Sequence, residues 1–81
     1  MPSVWKPLTP PTLAEVQDFI GGYVEVIHLV DGGQMLINEN GMADGLSPNP
    51  YATVQALKAG YNVAGQVRGN CVILRGDALW T

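Results

Sequence analysis

Positive charge is scarce in this chain. Lys6, Lys58, Arg68 and Arg75 are its only Lys and Arg residues, and none lies within residues 7–57. Binding nucleic acid without sequence preference needs clustered cations that displace counterions from phosphates, so direct nucleic-acid binding is not expected. Seven acids give a net charge of -3, too few for a regularly spaced DNA mimic. Cysteine is nearly absent. Cys71 alone excludes an intramolecular disulfide and fits a reducing cytoplasm. Histidine is represented only by His28. A general base needs an orienting partner and a nucleophile nearby, and a metal site usually needs three or four ligands. One His and one Cys assemble neither, and the apolar surroundings of Cys71 argue for a protonated, inert thiol. No apolar run approaches the roughly 20 residues of a membrane-spanning helix. Residues 1–6 lack a basic region followed by an apolar core, so a signal peptide is not expected.

What is present is a dense apolar pattern, 47% of the 81 residues, enough for one small globular core. A core of this size is marginal alone, which makes a homo-oligomer the expectation. Pro2, Pro7, Pro10 and Pro11 mark residues 1–11 as an extended arm, because proline fixes φ and removes donors. Trp5 can pin that arm to its own domain or to a neighbouring subunit; a disordered arm is the alternative. Residues 12–81 then form a single domain. Thr12-Leu13-Ala14-Glu15 reads as a capping box. Leu13, Val16 and Ile20 share one helical face, and Gly21-Gly22 ends the helix. Residues 23–30 alternate as a strand, Asp31-Gly32-Gly33 turns the chain, and residues 34–38 return. Asn49-Pro50 opens a second helix that stops at Gly60, with Val54 and Leu57 facing the core. Residues 61–67 and the apolar Cys71-Val72-Ile73-Leu74 read as a second hairpin around Arg68-Gly69-Asn70. The expected fold class is α+β: about four mostly antiparallel strands with two helices, in the order helix, hairpin, helix, hairpin.

Charge is unevenly distributed. Glu15, Asp18, Glu25, Asp31, Glu39 and Asp44 lie in the body, while Lys58, Arg68 and Arg75 face only Asp77 in the C-terminal third. That third can hold an anion or dock head to tail, although four scattered cations are more often a solvated surface. Gly21-Gly22 does not make a phosphate loop. Such loops run from a strand into a helix, and here the order is reversed. Glu25 and Glu39 come close if the strands pair around Gly32-Gly33, and paired carboxylates can perform acid–base chemistry, although opposed polar positions on a hairpin are commoner. The best binding candidate is a polar cluster of loops and one helix start: Asn38, Glu39, Asn40, Asn49, Tyr51 and Thr53. Their side chains can hydrogen-bond a sugar or a base edge. Tyr23 can stack on a base, and Arg68 and Arg75 can meet a phosphate in bidentate fashion. The competing reading gives Asn38, Asn40 and Asn49 to turn and cap geometry alone. The candidate ligand-binding set is Tyr23, Glu25, Asn38, Glu39, Asn49, Thr53, Arg68 and Arg75. No catalytic residue, metal ligand or cofactor is assigned.

The run Gly21-Gly22-Tyr23-Val24-Glu25-Val26, with Asn38-Glu39-Asn40-Gly41, Gly45-Leu46, Asn49 and Ala52-Thr53, resembles a bacteriophage and mobile-element family of unknown function. Gly65 and Gly69-Asn70-Cys71-Val72 are similar to its closing strand, where Asn70 stands in place of an acid. The resemblance spans residues 13–74. It implies a phage accessory protein in the cytoplasm of a bacterial host. Proteins of that kind often counter host defence, by sequestering a nucleotide signal or by binding an immune protein. The leading expectation is a non-enzymatic protein that sequesters a small nucleotide-type ligand, with no membrane association. The alternative is a protein–protein inhibitor of a host defence complex, anti-CRISPR-like, in which the acidic body, or Trp5 and Trp80, engage the target. A small hydrolase using Glu25 or Glu39 is weaker still.

Overall fold

Each helix begins where its cap residue can satisfy free backbone donors. In the computed structural model, which describes residues 2–61 and 66–81, α1 spans Leu13–Ile20. Thr12 Oγ1 accepts from the Glu15 amide at 3.1 Å, and the Glu15 carboxylate accepts from the Thr12 amide at 2.9 Å. Both halves of the capping box are therefore made. Gly21 closes the helix in the left-handed conformation. Val16 and Ile20 are buried as the periodicity requires, but Leu13 is largely exposed, because the first turn overhangs the sheet.

The sheet has four strands: β1 (Val4–Trp5), β2 (Val24–His28), β3 (Gln34–Asn38) and β4 (Cys71–Leu74). Their order is β1-β4-β3-β2. The β2–β3 hairpin pairs Val26 with Leu36, and β3 pairs antiparallel with β4, Leu36 opposite Val72. The proline-rich arm supplies the fourth strand, running parallel to β4 with Val4 opposite Cys71. Two residues suffice there because Pro2 and Pro7 bracket the segment, and proline is tolerated at a sheet edge. Trp5 is pinned within its own chain, 5.5 Å from Phe19 between ring centroids.

Helix α2 spans Pro50–Lys58 and covers the face of the sheet opposite α1. One core joins Val16, Ile20, Leu36, Val72, Leu74 and Ala78 on the α1 side. The other joins Ile27, Met35, Ile37, Ile73, Ala52 and Ala56 on the α2 side. Covered on both faces, β3 and β4 are almost wholly buried, which explains their unbroken apolar runs.

Two expectations are corrected. Val54 and Leu57 do not face the core; they are 47% and 56% exposed. The buried stripe is Ala52 and Ala56, with Ala59 beside it, while the larger Val54 and Leu57 project away. The helix–hairpin alternation is also not the arrangement seen. Residues 62–65, part of the expected second hairpin, lie outside the described residues. Among the described residues β4 pairs with β3 and β1, and residues 66–70 instead fasten to the loop before α2. Arg68 bridges Pro48, and Asn49 N–H donates to Val67 O at 2.8 Å. No helix of the described residues is long and apolar enough to cross a membrane.

Candidate functional site

The end of the sheet where β2 begins and β3 finishes carries a cavity of about 160 Å³. Its lining includes Glu25, Asn38, Glu39, Met42, Gln66 and Arg68. The hairpin register builds one wall. Glu25 lies opposite Ile37, and Glu39 N–H donates to Tyr23 O at 3.0 Å, so Glu25 and Glu39 come to the same end of the hairpin. The roof is the turn after Glu39. A Cβ on Gly41 would meet Arg68 O at 2.9 Å, so only glycine lets this turn close over the Arg68 backbone.

Arg68 is the distinctive member. Its Nη1 donates to Leu46 O at 3.0 Å. Its Nε is buried and has no hydrogen-bond partner among the described residues. An unsatisfied buried donor costs free energy, about 1–3 kcal/mol and more for a charged group. Glu25, Glu39 and Arg68 thus line one small cavity, while the Arg68 Nε itself is closed off from solvent. Tyr23, 69% exposed, is on the same side of β2 as Glu25 by strand alternation but does not line the cavity.

The remaining sequence candidates serve the fold. Asn38 is buried; its amide donates to Ile20 O at 3.4 Å and Asp44 Oδ2 at 3.3 Å, and its Oδ1 accepts from Asn40 N–H at 2.7 Å. A Cβ on Gly22 would stand 2.7 Å from that amide nitrogen, which accounts for the second glycine of the Gly-Gly pair. Asn49 caps α2 by accepting from Ala52 N–H at 3.1 Å and donates to Gly69 O at 2.9 Å. Thr53 Oγ1 donates to Asn49 O and accepts from Val67 N–H, each at 2.9 Å. Arg75 is at the far end of the sheet, paired with Asp31 at 2.9 Å. The length of β3, roughly 13 Å, separates it from the cavity, so Arg68 and Arg75 do not converge on one phosphate. Hydrogen bonds from Gly33 N–H and then from Arg75 hold the Asp31 carboxyl below its ordinary value.

His28 lies on the opposite face of β2 from Glu25, by alternation. Cys71 is buried, and desolvation pushes its thiol up to about 11 despite a hydrogen bond from Asn49. Among the described residues no group of three or more His, Cys, Asp or Glu is placed to hold a metal ion.

Sequence reasoning missed two functions of Asn70. Its Oδ1 accepts from Ser3 N–H at 2.7 Å, and its amide donates to Phe19 O at 2.9 Å, tying the arm, α1 and β4 together. An aspartate could make only the first bond.

The profile of a domain of unknown function, DUF3846, matches residues 3–78. The chain belongs to this family. The match takes in the arm strand, both helices and the cavity, so the whole arrangement described above lies within the family domain. No curated protein and no solved structure is significantly similar to the chain.

Proposed function

We propose that this DUF3846 protein is a non-enzymatic binding protein of phage origin that sequesters a small nucleotide-type ligand and so counters host defence. The observation that carries the reading is the convergence of Glu25, Glu39 and Arg68 on one cavity. Carboxylates accept from ribose hydroxyls and base amino groups, and a guanidinium donates to phosphate oxygens. Tyr23 supplies an exposed aromatic face for a base. The sequence resemblance supports the phage assignment, and with it a bacterial host cytoplasm as the proposed location. At about 160 Å³, the cavity is smaller than the roughly 300–1,000 Å³ usual for small-molecule sites. One copy therefore grips part of a nucleotide and leaves the rest exposed.

Calorimetric titration with cyclic and ADP-ribose-type nucleotides tests this reading. The expected result is heat of binding that Arg68→Met abolishes, with the nucleotide recovered intact. No heat with any of them, and no ligand retained in native mass spectrometry, overturns it. A hydrolysed nucleotide would point to the weaker hydrolase reading.

Exposed Val54 and Leu57 on α2 favour a second reading, inhibition of a host defence protein through that helix. Trp5 and Trp80 are poorer anchors for it. Trp5 packs on Phe19, and Trp80 Nε1 donates to Pro11 O at 2.9 Å. A stoichiometric host protein recovered with the wild-type chain, and lost with Leu57→Glu, would support this reading.

A further inference from the structure

We infer that β2 is a dimerisation edge: two copies pair their β2 strands antiparallel about a two-fold axis at Val26. The hydrogen-bonding pattern leads there. Leu29 N–H donates to Gly33 O and Glu39 N–H to Tyr23 O, so residues 23, 25, 27 and 29 turn their backbone groups toward β3. In an antiparallel ladder the intervening residues turn theirs the other way. Val24, Val26 and His28 therefore present N–H and C=O groups at the outer edge, and no strand among the described residues pairs there.

An exposed edge of this kind is normally blunted by proline, lysine or a bulge. The sequence of β2, Val-Glu-Val-Ile-His, contains neither proline nor lysine, and its register against β3 is unbroken from Val24 to His28. The three outward residues are symmetric about Val26. Val26 pairs with Val26 of the second copy, and Val24 with His28. Both strands then satisfy every outward donor and acceptor between them, which is the self-complementarity that a two-fold interface requires.

Side chains agree with this register. The half-buried Val24 and Val26, packed under α1, meet their counterparts on one face. On the other face Glu25 falls opposite Ile27, and Tyr23, itself 69% exposed, falls opposite Leu29. The two Glu25 carboxylates are diagonal neighbours and not directly opposed, so their repulsion is moderate. The pairing puts the two Glu25-lined cavities on the same face of the extended sheet, one on either side of the two-fold axis. The pairing itself stands on the strand edge and on no property of the ligand.

Sedimentation equilibrium on the full chain gives the first test. The expected mass is twice 8.6 kDa, and His28→Pro, which removes an outward donor and no bond to β3, should halve it with an unchanged circular dichroism spectrum. Val26→Cys provides a second test that needs no loss of structure. Paired residues of this type lie about 5.5 Å apart at Cα, within disulfide range. Oxidation should cross-link Val26→Cys to itself and leave Leu57→Cys monomeric on a non-reducing gel. Glu25→Gln should tighten the dimer. A monomer at all concentrations, a dimer in which Val26→Cys fails to cross-link, or a folded His28→Pro that remains dimeric overturns the inference. A monomer that still gives heat with nucleotides overturns the pairing alone.

Discussion

The fold satisfies the side chain of Arg68 only in part. One of its nitrogens meets Leu46 O, while the buried Nε has no partner among the described residues. Arg68→Met should leave thermal stability within about 1 kcal/mol of wild type, or raise it, because an unsatisfied donor leaves together with one hydrogen bond. Ligand binding measured by calorimetry should be lost in the same variant. Asn70 shows the opposite balance. Asn70→Asp replaces a donor to Phe19 O with a repelling acceptor and should cost about 1–3 kcal/mol in denaturant unfolding. Cys71 sets the alkaline limit. Burial raises its thiol from about 9.0 to about 11 in the fold, so the folded state holds a proton that the unfolded chain releases. Stability is unaffected below pH 9, falls as pH rises from 9 toward 11, and levels off above. Chemical denaturation across that range should show the fall, and Cys71→Ala should flatten it. The Arg68 assignment was only partly legible in sequence. Its residue type marked it as an anion ligand, but Gly41, which closes the turn over its backbone, is twenty-seven residues from Arg68 in sequence.

At the scale of elements, local chemistry was highly legible. The Thr12–Glu15 box, the Gly21 stop and the Asn49-Pro50 start fixed both helices, because each cap is a contact between residues three or four apart. Thr12→Ala should lower stability by about 1 kcal/mol. Which face of α2 is buried was misread, since Val54 and Leu57 are more hydrophobic than the alanines that pack. The distinction can be measured. Val54→Lys should change stability by no more than about 0.5 kcal/mol. Ala56→Leu should cost roughly 1–3 kcal/mol, because Ala56 is fully buried and added methylenes would have to displace its neighbours. Thermal unfolding of the two variants decides which face the helix buries.

At the scale of the whole molecule, the two ends of the chain are fastened to the middle. Gln34 donates through Nε2 to Trp80 O and accepts at Oε1 from Trp80 N–H, each at 2.8 Å. Trp80 then donates to Pro11 O, and the arm continues as β1 beside β4. Gln34→Leu should leave two backbone groups of Trp80 unpaired, lower the unfolding midpoint, and increase proteolysis of both termini together, as followed by mass spectrometry. None of these ties has a sequence signature, because each spans more than forty residues and uses backbone groups that every residue carries.

The sequence by itself determined the helix limits, the β2–β3 hairpin and the apolar strand β4. Those depend on caps, turns and alternation, which act over a few residues. It also set the chemical inventory: one thiol, one imidazole and four cations. The tertiary structure decided the strand order, the arm's place in the sheet and the division of the polar candidates. Asn38, Asn49 and Thr53 went to the fold, Arg75 to Asp31, and Glu25, Glu39 and Arg68 to one cavity. That division rests on long-range packing around both faces of the sheet. The free energy of burying those faces selects one arrangement that no local pattern encodes.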